Sequence, residues 1–88
     1  MIEIYGKPNC AMCTAAKQLL DNNGIPYTYK TLGEHFTREE LLEKVPQARE
    51  FPQIFIMGES IGGFNELRTK VGILKEVVAN HGPQALME

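Results

Sequence analysis

What the chain does without narrows its biochemistry first. No apolar run approaches the roughly 20 residues of a transmembrane helix, so no membrane role is expected. Lysines and arginines form no cluster, and the formal net charge is only −2. Neither nucleic acid nor an anionic membrane is therefore an expected partner. There are only two cysteines, too few and too close together for a stabilising disulfide framework. Met1 leads directly into an apolar strand pattern, with no basic segment and long apolar stretch after it, so no secretory leader is expected. A reducing, cytoplasmic setting follows from the same cysteine usage. No repeat, low-complexity stretch or linker divides the 88 residues. Residues 1–88 read as one domain with a single modest core, and a monomer is expected.

What is present is a regular alternation of short strands and helices. Ile2 to Tyr5 alternates as a strand, and Gly6-Lys7-Pro8-Asn9 ends it. From Met12, apolar residues recur at Ala15, Ala16, Leu19 and Leu20, a helical period closed by Gly24 and Pro26. Residues 27–31 are rich in β-formers and give a second strand. Thr37 and Glu40 form a capping box, with Phe36 and Leu41 placed as a hydrophobic staple, and Pro46 stops that helix. Ile54 to Met57 form a third strand, Gly58-Glu59 a hairpin turn and Ser60-Ile61 the return. Leu67, Val71, Leu74 and Val78 mark a third helix up to Gly82-Pro83, beyond which the chain is expected to fray. The order is β-α-β-α-β-β-α. Its first two strands are parallel and its last two antiparallel. This α/β arrangement, a four-stranded mixed sheet flanked by helices, is that of the thioredoxin fold.

The chemistry centres on Cys10-Ala11-Met12-Cys13. Cys10 falls where a loop enters a helix, and Cys13 lies about one turn further on. The unpaired N–H groups and the dipole of a helix start favour an anion, and the thiolate is the reactive form of cysteine. Cysteines in such settings have pKa values of about 3.5–7.5, against about 8.5 when free. Cys10 is thus the candidate nucleophile and Cys13 the resolving thiol, with Lys7 a nearby positive charge. The competing reading is half of a zinc site. Zinc needs four protein ligands in a structural site, and His35 and His81 have no useful spacing from the cysteines, so no metal is expected.

Two further segments have both a plain and a functional reading. Pro52 can simply begin a strand without breaking its ladder; a cis Phe51–Pro52 bond does not follow from the residues themselves. Gly62-Gly63 before a helix can be a plain turn with Asn65 as N-cap. It can also let a ligand carboxylate approach the backbone N–H groups.

Taken together, Tyr5 to Cys13, Phe51-Pro52-Gln53-Ile54-Phe55-Ile56 and Ile61-Gly62-Gly63-Phe64-Asn65-Glu66-Leu67 resemble a glutaredoxin, in order and at family spacing across nearly the whole chain. The resemblance implies glutathione as cosubstrate and a cis peptide before Pro52. It implies that Phe51 pairs its backbone with the cysteinyl part of the tripeptide. Gly63, Phe64 and Asn65 would receive the γ-glutamyl end and Lys7 the glycyl carboxylate, with Gln47 or Arg49 as a further glycyl contact. Three positions depart from the family pattern. Ala-Met replaces Pro-Tyr between the cysteines, so Met12 would cover one side of the groove with a flexible thioether. Asn65 stands where Asp is frequent, and Arg49-Glu50 replaces a polar pair. The implied activity is reduction of protein disulfides, ribonucleotide reductase among the possible partners, and of glutathione mixed disulfides. Two rivals share the fold: a redoxin reduced by thioredoxin reductase that serves ribonucleotide reductase, and a carrier of a glutathione-ligated [2Fe–2S] cluster. A binding module with incidental thiols is a third.

Overall fold

The computed structural model describes residues 1–86. Its elements are β1 (Ile2–Gly6), α1 (Ala11–Asn22), β2 (Thr28–Thr31), α2 (Arg38–Lys44), β3 (Gln53–Ile56), β4 (Glu59–Gly62) and α3 (Phe64–His81), followed by a 3-10 turn, Pro83–Leu86. The strands form one sheet in the order β2-β1-β3-β4. β1 is parallel to β2, and β3 is antiparallel to both β1 and β4. The element order and the mixed sheet, parallel between β1 and β2 and antiparallel between β3 and β4, are those predicted from the sequence. Among the described residues, no helix is long and apolar enough to cross a membrane.

Strand alternation divides the core between the two sheet faces. Ile2, Ile4 and Ile54 pack with Ala16 and Leu20 of α1 and with Leu67 and Leu74 of α3. Tyr5 and Phe55 point the other way and pack with Phe36, Leu41 and Val45 around α2. Tyr5 meets the Phe36 and Phe55 rings edge-on, at centroid distances of 4.9 and 5.1 Å. Each fully buried aliphatic side chain contributes about 1.5–3 kcal/mol, so the central strands are fixed from both sides.

Local signals set the helix ends. The α1 C-terminus closes with Gly24 N–H on the Asp21 carbonyl and Ile25 N–H on that of Leu20, at 3.2 and 3.0 Å. This is a Schellman pattern, and Ile25 and Leu20 share the core beneath it. At α2 the capping box is complete: Glu40 N–H donates to Thr37 Oγ1 at 3.1 Å, and Thr37 N–H to Glu40 Oε1 at 2.8 Å.

Three expectations shift. The hairpin turn is Met57-Gly58, not Gly58-Glu59. Ile56 pairs with Glu59, and both turn residues have positive φ (53° and 85°), as a two-residue I′ turn requires. Ile61 is left over in the register as a β-bulge between the Ile54–Gly62 and Phe55–Ser60 pairs. The segment after Gly82 does not fray as expected, because Leu86 is buried in the main core; for residues 87 and 88 that expectation lies outside the described residues. Leu86 also shares a small recess with Met1, Pro26, Tyr27 and Thr28, at the end of the sheet where β1 starts.

Candidate active site

Sheet register brings three separated segments to one edge. Tyr5 pairs with Gln53, so the end of β1 lies beside the start of β3. Ile54 pairs with Gly62, which brings the end of β4 to the same place. The loop to Cys10, the Phe51–Pro52 peptide and the start of α3 therefore meet. The Phe51–Pro52 bond is cis. A Cβ on Gly63 would stand only 3.3 Å from the Pro52 carbonyl oxygen, so a bare backbone lets α3 begin this close.

Cys10 is the N-cap of α1, and its Sγ accepts the Cys13 N–H at 3.2 Å. Thr14 holds the Cys10 carbonyl through its N–H and its hydroxyl, at 3.1 and 3.3 Å. Cys13 is 1% exposed, whereas Cys10 is half-buried. The two are joined as a disulfide. In the dithiol form the same N–H and the positive end of the helix favour a thiolate at Cys10. No acidic side chain stands in the first turn of α1 to oppose it. Access ranks the two thiols: Cys10 can meet a substrate, and Cys13 can meet Cys10.

A groove of about 140 Å³ is lined by Met12, Glu50, Phe51, Pro52, Gly63, Phe64, Asn65 and Glu66. It unites six of the residues singled out in the sequence. Lys7 and Arg49 line an adjoining recess with Arg38, Glu50 and Phe51, and Lys7 Nζ lies 5.6 Å from the Phe51 ring centroid. Gln47 is exposed and lines neither. Arg38 was not foreseen. Its one signal is a cation in the first turn of a helix, where the dipole disfavours it.

The start of α3 differs from the expected turn. Gly63, not Asn65, is the N-cap. Glu66 reaches back to accept the Gly63 N–H at 2.8 Å, and that bond holds the Glu66 carboxyl below its ordinary range. The Gly63 N–H is therefore engaged within the protein, which leaves Phe64 and Asn65 to supply the open donors of the turn. Gln53 was also missed as a positioning residue. It is a buried polar side chain whose Nε2 donates to the Glu50 carbonyl at 2.8 Å, tying down the segment that carries Phe51 and Pro52. A polar residue opening a buried strand was the available signal.

On its other side Cys10 borders a wider recess of about 620 Å³, between the start of α1 and β2. Tyr29 forms part of its wall. A Cβ on Gly6 would overlap the Tyr29 hydroxyl, so the ring lies directly on the β1 backbone. The histidines stand apart from the thiols: His35 Nδ1 accepts the Thr31 N–H at 2.9 Å, and His81 ends α3. Among the described residues, no group of three or more His, Cys, Asp and Glu side chains could hold a metal ion.

Residues 2–61 match the glutaredoxin family. Glutaredoxin 3 of Escherichia coli (strain K12) is 36% identical over 67 residues, 75% of this chain and 80% of that protein. Hybrid peroxiredoxin hyPrx5 of Haemophilus influenzae is 38% identical over 66 residues, but the chain spans only 27% of its length. Among solved structures, glutaredoxin 1 from Francisella tularensis, complexed with cacodylate, aligns with a TM-score of 0.72 at 28% identity, covering 85% of this chain and 95% of that one. A buckwheat glutaredoxin–glutathione complex aligns with a TM-score of 0.70 at 28% identity, covering 85% and 76%.

Proposed function

The chain belongs to the glutaredoxin family, its Cys10–Cys13 pair making it a thiol–disulfide oxidoreductase, and on that premise we propose that glutathione is both its reductant and one half of its preferred substrates. The observation that carries this reading is the groove beside Cys10. It combines a cis-proline edge, the open N–H donors of α3 and, next to it, the cationic recess of Lys7, Arg38 and Arg49. An extended tripeptide with carboxylates at both ends suits that sequence of groups: a helix start for one end, guanidinium and ammonium groups for the other. The buckwheat relative, solved as a glutathione complex, supports the same reading.

In the proposed cycle the Cys10 thiolate attacks the glutathione sulfur of a mixed disulfide. The sulfur–sulfur bond breaks, and the substrate thiolate leaves with its electron pair and takes up a proton. A second glutathione, as thiolate, then displaces Cys10 and forms glutathione disulfide. With a protein disulfide, Cys10 forms the mixed disulfide and Cys13 displaces the substrate thiol, leaving Cys10–Cys13 oxidised. Protein disulfides are the second proposed substrate class, with ribonucleotide reductase a candidate. A monomer working in the reducing cytoplasm is part of the same proposal.

Reduction of the oxidised protein separates glutathione from other electron sources. With glutathione, glutathione reductase and NADPH, the mixed disulfide of glutathione and mercaptoethanol should be turned over continuously. Cys13→Ser should retain that turnover and lose protein-disulfide reduction. If the oxidised protein were reduced by thioredoxin reductase and NADPH but not by glutathione, the proposal would fall.

A further inference from the structure

We propose that the recess on the second side of Cys10 selects substrates whose reacting cysteine is flanked by acidic residues, and that Lys17 sets this preference. The inference rests on the glutathione reading above, and concerns the half of the mixed disulfide that is not glutathione.

The recess is lined by Lys7 and Lys17 with Thr14, Tyr29 and Thr31, and no carboxylate lines it. Among the described residues the ion pair within 4 Å is Lys30–Glu3, so Lys17 is not paired with an acid, whereas Lys7 is the lysine that the glutathione reading already uses beside Phe51. Lys17 is also held in place. Its Nζ lies 4.2 Å from the Tyr29 ring centroid, and that ring is fixed by its seat on Gly6. A cation on an aromatic face keeps hydrogen-bond donors directed away from the ring, so part of the ordering cost of binding a carboxylate is already met.

The smaller groove has the opposite character, since its charged lining residues are Glu50 and Glu66. Cys10 lines the larger recess, and Met12, two residues further on, lines the smaller groove. When the glutathione half occupies the smaller groove, the substrate chain lies over the neighbouring surface. An extended chain advances about 3.3–3.6 Å per residue, so side chains one to three positions from the reacting cysteine can reach the recess. Its volume, about 620 Å³ against about 140 Å³, accommodates them. The preference also runs against the whole molecule: a net charge of −2 would by itself favour basic partners. Selection of acidic ones must come from the local lysines.

The test uses three peptides that differ only in the residues flanking one cysteine (glutamates, serines or lysines), each as its mixed disulfide with glutathione. Their kcat/KM values, with glutathione as reductant, are compared with that of the uncharged mercaptoethanol mixed disulfide. At low salt the wild-type protein should rank glutamate above serine above lysine, with about a 2- to 30-fold span for two exposed charge pairs, shrinking as salt is added. Lys17→Gln should flatten the ranking and Lys17→Glu reverse it, each peptide being read as kcat/KM relative to the same variant's value for the mercaptoethanol substrate. An absent ranking in the wild type, or one that survives Lys17→Glu, overturns the inference alone. No turnover of any glutathione mixed disulfide, the small one included, overturns the glutathione reading and this inference with it.

Discussion

The two hollows that flank Cys10 are built from different materials. The smaller is shaped by main chain: a cis peptide, a bare glycine against the Pro52 carbonyl and the first turn of α3. The larger is shaped by side chains, two lysines, two threonines and a tyrosine from the loop after β1, α1 and β2. Backbone donors recognise what many substrates share, an extended peptide and a terminal carboxylate, and cannot easily be changed by substitution. Side chains recognise what differs between substrates and change one residue at a time. On the proposed reading, one nucleophile served by both keeps a constant cosubstrate while its partners vary.

The most severe way to test that division removes what the hollows share. Cys10→Ser is expected to abolish exchange with glutathione mixed disulfides and protein disulfides alike, read as loss of turnover in both assays. Next comes the wall of the larger hollow. Gly6→Ala drives a methyl into the Tyr29 hydroxyl and should destabilise the fold by about 1–3 kcal/mol, read by urea denaturation. By displacing Tyr29 it should also weaken discrimination by flanking charge more than it affects the mercaptoethanol substrate. The converse change acts on the smaller hollow. Gln53→Leu removes the bond to the Glu50 carbonyl at a cost of about 0.5–1.5 kcal/mol. KM for the small mixed disulfide should rise while the charge ranking persists. An equal effect on both properties would show that the hollows are not independent.

The smallest expected effect is at Glu66. Its carboxyl is held below the ordinary range by the Gly63 N–H, so in acid the unfolded chain takes up this proton before the folded one does. Its contribution to stability is thus fully present above the unfolded carboxylate pKa and is lost as pH falls through the lower folded value. Thermal unfolding of the wild type and of Glu66→Gln should differ most at neutral pH and converge in acid.

Much of this arrangement was legible in the chain because the deciding signals were local. Thr37 and Glu40 fix the start of α2 with their own side chains, and Gly24 ends α1 within one turn. Cys10 could be placed at a helix start because the loop residues and the helical period adjoin it. The errors lie where a local signal competed with a non-local one. Met57 continues an apolar run and reads as strand, yet the pairing of Ile56 with Glu59 puts it in the turn. Asn65 is a good N-cap in isolation, but Glu66 serves the Gly63 N–H instead. Leu86 follows a helix-ending Gly-Pro and has no periodic partners, and only the tertiary core explains its burial. Arg38 and Gln53 acquire their places from the packing of α2 and β3, and Lys17 reaches its recess because α1 packs beside Tyr29 of β2, which no spacing in the sequence encodes.

The recess shared by Met1 and Leu86 has a practical meaning for architecture. The first residue and the last described one meet at the pole where β1 begins, whereas Cys10 follows the strand's far end. Attachments made at Met1 or Leu86 start out remote from both hollows. The domain can be tethered to a surface, joined in tandem or coupled to an optical reporter through that pole. A short bridge from Leu86 to Met1 would also permit a circular permutant opened at the exposed Met57-Gly58 turn, with the reactive edge left whole.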